Sequence, residues 1–121
     1  MTDYLNNTLK ALKLSQKIWK APPKLTVSQW ADENRRLSPE SSAEPGRWRT
    51  SRAEYQREIM DTVADARIET IVIMSSAQVG KTEIINNIVG YFIDQDPAPM
   101  MVLKPTVDMA KTWSHDRLAP M

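Results

Sequence analysis

The chain has 121 residues, 16 Lys+Arg against 15 Asp+Glu, 41% hydrophobic residues and no cysteine. That length allows one domain at most, and the missing thiols exclude disulfides and thiolate metal sites and fit a reducing compartment. A formal net charge of +1 leaves any contact with nucleic acid to a local patch.

Residues 3–19 place Leu5, Leu9 and Leu12 on one helical stripe, with Ile18 and Trp19 further on and Lys10, Lys13, Lys17 and Lys20 on other faces. Pro22-Pro23 ends that helix. It reads either as a docking arm for a partner or as a helix packed on its own domain. No apolar run approaches the roughly 18 residues of a membrane span, and no signal-peptide pattern opens the chain.

Thr26 with Gln29 forms a capping-box pattern, opening a helix through about Arg36 with Trp30 as its apolar anchor. Ser38 to Thr50, rich in proline, glycine and serine, reads as a loop. Inside it, Arg47-Trp48-Arg49 suits either a grip on a phosphate backbone or, more commonly, a tryptophan plug with arginines pairing nearby carboxylates. Ser51 with Glu54 suggests a second capping box and a helix to about Ala66, burying Tyr55, Ile59, Met60 and Val63.

Ile68 to Ser75 has the β-branched composition of a strand buried on both faces. It turns through small residues into Gly80-Lys81-Thr82, and a helix patterned by Ile84, Ile85, Ile88, Val89 and Phe92 follows, stopping near Asp94. Met100 to Leu103 is a second short strand. Lys104-Pro105-Thr106 turns the chain into a last helix carrying Val107, Ala110, Ser114 and Leu118, on which His115 is expected at solvent. From residue 68 onward the order β-α-β-α implies parallel strands with a right-handed crossover. The expected class is α/β: a truncated P-loop NTPase with two strands of its parallel-sheet core, preceded by a helical region.

Strand, loop and helix in that order are the context of a phosphate-binding loop over Ser75, Ser76, Ala77, Gln78, Val79, Gly80, Lys81 and Thr82. A polyanion needs inward-pointing N–H groups, which a helix N-terminus supplies unpaired. Gly80 permits close approach, Lys81 reaches the terminal phosphates and the Thr82 hydroxyl sits on Mg²⁺. The first glycine of the common pattern falls at Ser75, which tolerates the turn only at negative φ. The plain alternative is a strand-to-helix turn in which Gly80 provides flexibility.

Together with Tyr55-Gln56 and Lys104-Pro105-Thr106, this loop resembles the ATPase domain of tailed-bacteriophage terminase large subunits, in the lambda gpA-like branch. The runs Trp30 to Ser38, Pro45 to Trp48 and Tyr55 to Met60 resemble that branch too. The resemblance implies residues 1–25 as a helical arm that docks a small terminase subunit, and 26–121 as the N-terminal part of the ATPase domain. It implies ATP and Mg²⁺ as cofactors, and double-stranded viral DNA, the small subunit and the capsid portal as partners in the host cytoplasm. Tyr55-Gln56 looks like the adenine-recognising motif: a ring to stack on and an amide matching the N6/N7 edge. Read from the residues alone, the same pair is a core tyrosine and a solvated glutamine. Lys104-Pro105-Thr106 falls where related motors place a segment coupling hydrolysis to DNA movement.

Two departures stand out. The arginine that many terminases carry in the loop would fall at Ala77, and Gln78 supplies no charge. No acidic pair ends a later strand to hold Mg²⁺ and orient water, since Asp94 and Asp96 follow a helical pattern. Two strands also leave sheet edges unpaired. The chain is therefore expected to be a fragment, from a truncated prophage frame or a longer protein, aggregation-prone and without turnover alone. The competing readings are a non-catalytic interaction fragment and a piece of another P-loop motor such as a helicase.

Overall fold

A computed structural model of the chain describes residues 2–18, 23–39 and 44–120. The helices are α1 (Thr2–Ile18), α2 (Val27–Asn34), α3 (Tyr55–Thr62), α4 (Lys81–Asp94) and α5 (Val107–Trp113), the last continuing into a π-helical turn over Ser114–Leu118. A 3-10 turn over Thr50–Ala53 leads into α3.

Helix α2 starts where its capping box requires. The Thr26 side chain accepts from the Gln29 N–H, and the Gln29 side chain accepts from the Thr26 N–H at 3.0 Å. Its buried face, Val27, Trp30 and Ala31, meets Met60 of α3 and Ile84 and Tyr91 of α4, with Trp48 closing the same cluster. Polar ties fix the three helices. The Asp61 carboxylate accepts from the Ser28 N–H and hydroxyl, both at 2.8 Å. The Trp30 indole N–H donates to Asp94 at 2.8 Å, and the Tyr91 hydroxyl donates to the Leu25 carbonyl at 3.1 Å.

Asp94 therefore ends α4 at the far end from its loop, about 20 Å along a helix of this length. Serving as a carboxylate at the loop is beyond its reach. The Trp30 hydrogen bond, with a second from Gln95, holds its carboxyl below the ordinary range.

Several expectations are corrected. The second capping box does not form: Glu54 makes no side-chain cap, and its carboxylate pairs with Arg57 instead. The Thr50 N–H goes to Asp32 Oδ1 at 2.6 Å, which winds residues 50–53 into the 3-10 turn, and α3 stops at Thr62 rather than Ala66. Among the described residues no strands pair in parallel. The sheet that exists pairs β1 (Arg36–Leu37) with β2 (Gly46–Arg47), antiparallel, with Arg36 opposite Arg47. Residues 68–76 and 100–103 form no ladder, because a β-branched run becomes a strand only against a partner backbone and these two do not pair. Ile73 packs on the core, whereas Val72, Met74, Met101 and Leu103 are largely exposed, Met74 at 96%.

Helix α1 leaves Leu9 and Leu12 about half exposed. The stripe partners Leu5, Ile18 and Trp19 lie outside the described side chains. Among the described residues no helix is long and apolar enough to cross a membrane. His115 is exposed on the terminal turn.

Candidate functional site

The 3-10 turn sets the first turn of α3 so that Tyr55 and Gln56 face the loop before α4. Their burial is the reverse of what residue type suggests: Tyr55 is 59% exposed and Gln56 only 3%. Both reach one atom. The Tyr55 hydroxyl donates to the Val79 carbonyl at 2.8 Å and Gln56 Nε2 donates to the same oxygen at 3.1 Å. Gln56 Oε1 is buried with no hydrogen-bond partner.

The loop's left-handed residues are Gln78 (φ 60°) and Gly80 (φ 79°), so Ser75 keeps an ordinary backbone. The backbone at position 80 favours glycine. Its φ disfavours a side chain, and a Cβ there would lie 2.7 Å from Gln56 Nε2. This close approach seats the amide of α3 directly on the loop.

Val79, Gly80, Gln78, Tyr55 and Gln56 line a hollow of about 470 Å³, with Arg47, Arg49 and Arg52 and also Glu44 and Glu83 in its lining. Trp48 is the plug between Arg47 and Arg49, buried with its indole N–H on Thr50 Oγ1 at 3.0 Å. Arg47 donates to the Asp32 carbonyl at 2.8 Å and Arg52 pairs with Glu44.

Lys81 opens α4 and curls back, its ammonium donating to the Ser75 carbonyl at 3.2 Å and to that of Ser76. It lines a mainly apolar hollow of about 290 Å³ with Ile71, Val72 and Ile73, which shares Tyr55 and Val79 with the first. Thr82 is exposed and lines a third hollow with Lys104, Asp108 and Arg117. Ser76 and Ala77 are exposed in the turn. The structure thus joins the tyrosine–glutamine pair to Gln78–Gly80, while Lys81 and Thr82 face different sides of the same helix start. Lys104 lies over the Trp113 ring, 5.1 Å from its centroid, and Thr106 caps α5 by accepting from the Met109 N–H at 3.2 Å. No group of three or more potential metal ligands occurs among the described residues.

Residues missed by pattern reading stiffen this end of α4. Arg35 is buried, donating through Nε to Asn87 Oδ1 at 3.1 Å and pairing with Glu83 at 2.7 Å. Asn86 and Asn87 are fully buried. The available signal was the Asn86-Asn87 pair set inside an otherwise apolar helix.

Residues 42–121 match the family described as the ATPase domain of the phage terminase large subunit gpA. The terminase large subunit of Enterobacteria phage P21 is 32% identical over 99 residues, 82% of this chain and 15% of that protein. That of Escherichia phage lambda is 29% identical over 99 residues, with the same shares. The chain spans about 15% of the length of the curated relatives it matches. No solved structure matches it. With that match covering most of its length, the chain belongs to the phage terminase large subunit gpA ATPase-domain family.

Proposed function

We propose that this chain carries the nucleotide-binding front of a viral DNA-packaging motor, with residues 75–82 as the phosphate loop and Tyr55-Gln56 as the adenine-recognising pair. The convergence of Tyr55 and Gln56 on the Val79 carbonyl is the observation that carries this reading. Two side chains more than 20 residues upstream close on the loop, and one leaves a buried acceptor aimed at no protein donor. An exocyclic amino group is the donor that acceptor lacks, and the Tyr55 face offers the stacking surface. Three arginines against Glu44 and Glu83 leave the same hollow one formal positive charge in excess, which favours an anionic ligand.

When bound, ATP would supply the phosphoryl group and Mg²⁺ would neutralise the negative charge spread over its oxygens. The chain's part would be to hold them: Lys81, now on the Ser75 and Ser76 carbonyls, would meet the terminal phosphates, and the Thr82 hydroxyl would be offered to the metal. The parallel P-loop sheet belongs to this proposal, with residues 68–74 and 100–103 pairing when further strands lie beside them. So do the coupling role of Lys104-Pro105-Thr106, the partners DNA and portal, and the host cytoplasm as location. The exposed Leu9 and Leu12 favour the arm 1–25 as the docking segment for the small subunit.

The chain alone binds ATP weakly and does not turn it over. Equilibrium titration with Mg²⁺-ATP tests this: binding is expected for the wild type and lost in Lys81→Ala. Equal binding by both, or none by either, sinks the nucleotide reading.

A further inference from the structure

The three arginines lining the hollow beside Tyr55 and Gln56 are not equivalent. Arg52 is paired with Glu44, and Arg47 donates through Nε to the Asp32 carbonyl at 2.8 Å. Glu83, the other carboxylate of the lining, is paired with the buried Arg35 at 2.7 Å. Both carboxylates are thus matched by other arginines. Among the described residues no hydrogen bond or ion pair holds the exposed Arg49 side chain.

The backbone of Arg49 is fixed all the same. Its neighbours Trp48 and Thr50 are both buried and joined through the indole N–H. The Trp48 N–H donates to the Arg35 carbonyl at 3.0 Å, and the Thr50 N–H donates to Asp32 Oδ1 at 2.6 Å. Residue 49 between them is extended (φ −143°, ψ 107°), which turns its side chain to the face opposite these two. Ordering it on a ligand therefore costs side-chain rotamers and no backbone freedom.

An exposed arginine alone is a solvated surface charge. Here the same hollow is lined by Gln56, 3% exposed, whose Oε1 has no donor. An unmet acceptor and an unmet cation in one hollow fit a ligand that carries a donor at one end and an anion at the other. A nucleoside phosphate has that form. Lys81 lies in the neighbouring hollow, which shares Tyr55 and Val79 with this one. A nucleotide with its base at Gln56 and its last phosphate at Lys81 leaves its first phosphate on the Arg49 side.

We propose that Arg49 holds the phosphate nearest the sugar of the bound nucleotide, and that it is the residue by which the site tells a nucleotide from a nucleoside. This rests on the nucleotide reading above. The planar fork of the guanidinium suits two oxygens of one phosphate.

Amide NMR titrations of the 121-residue chain with adenosine, AMP and Mg²⁺-ATP test this, with a thermal melt of each variant as the control for folding. The wild type is expected to bind AMP about tenfold more tightly than adenosine, the worth of one charge-assisted contact. Arg49→Gln should lose that factor for AMP, weaken Mg²⁺-ATP similarly and leave adenosine unchanged. Arg36→Gln removes the same charge from an exposed position outside the hollow and should change none of the three. Arg49→Lys keeps the charge without the fork and should weaken AMP about threefold; it decides alone if Arg49→Gln does not fold, unchanged AMP affinity then overturning the assignment. Wild-type AMP affinity in Arg49→Gln, equal weakening of adenosine, an equal effect of Arg36→Gln, or AMP no tighter than adenosine in the wild type also overturns it. Each of these leaves the nucleotide reading standing as long as the wild type binds Mg²⁺-ATP. No binding of Mg²⁺-ATP by the wild type overturns both.

Discussion

Replacing Gln56 by leucine in the ligand-free chain removes two things of opposite sign. The bonds from Nε2 to the Val79 carbonyl at 3.1 Å and, more weakly, to the Tyr55 hydroxyl at 3.3 Å are lost, together worth about 1 kcal/mol. That carbonyl is not orphaned, because the Tyr55 hydroxyl still donates at 2.8 Å. The buried acceptor Oε1 also disappears, and with it a desolvation penalty of about 1–3 kcal/mol that no partner offsets. The net expectation is a variant as stable as the wild type, or more stable by about 1 kcal/mol. A glutamine kept for packing alone would behave in the opposite way, since its removal would only cost. Urea unfolding followed by tryptophan fluorescence measures the difference. Repeating the melt with Mg²⁺-ATP at about ten times its Kd should stabilise the wild type by about 1.4 kcal/mol and leave Gln56→Leu unmoved. Destabilisation of Gln56→Leu by about 2 kcal/mol, well outside the expected range, or equal stabilisation of both proteins by ATP, would refute the assignment.

Arg35→Ala strips the buried partner from Glu83 and the donor from Asn87, and should cost about 3 kcal/mol in the same unfolding assay. The exposed Arg36→Ala should stay within about 0.5 kcal/mol. Because the Trp30 bond depresses the Asp94 carboxyl, its contribution is complete above the ordinary value of 3.8 and is lost as pH falls through the lowered folded value. The stability difference between wild type and Asp94→Asn should therefore be constant above about pH 5 and vanish in acid; a gap that persists at low pH contradicts it. Exposed Val72, Met74, Met101 and Leu103 should drive self-association. Light scattering should fall in a Val72→Lys, Leu103→Lys double variant, and a monodisperse wild type would count against the prediction.

The capping box at Thr26 and the start and end of α4 were legible because each rests on local chemistry: a side chain reaching its own backbone, and an apolar pattern closed by a glycine and by Asp94-Gln95-Asp96-Pro97. The turn before α4 and its left-handed glycine were legible for the same reason. Burial of Gln56 was not, because a glutamine on α3 is drawn inward only by the Val79 carbonyl, 23 residues away. Residue type alone pointed the pair the other way, and only the resemblance to terminases placed it on adenine. The capping box at Ser51 failed where a tertiary acceptor, Asp32, took the Thr50 N–H and Arg57 took Glu54. The strands at 68–74 and 100–103 have the right composition, yet ladder bonds are long-range and need a neighbouring backbone to exist. Arg35 was read as part of a family block rather than as a buried base, since nothing local marks Glu83 and Asn87 as its partners.

Backbone amide NMR during a titration with Mg²⁺-ATP gives the most direct view of whether the loop takes a triphosphate. The largest shifts are expected at Val79, Gly80, Lys81 and Thr82, joined by the Gln56 side-chain amide, and absent in Lys81→Ala. An unchanged loop at saturating nucleotide, or shifts confined to α1 and α5, would contradict it.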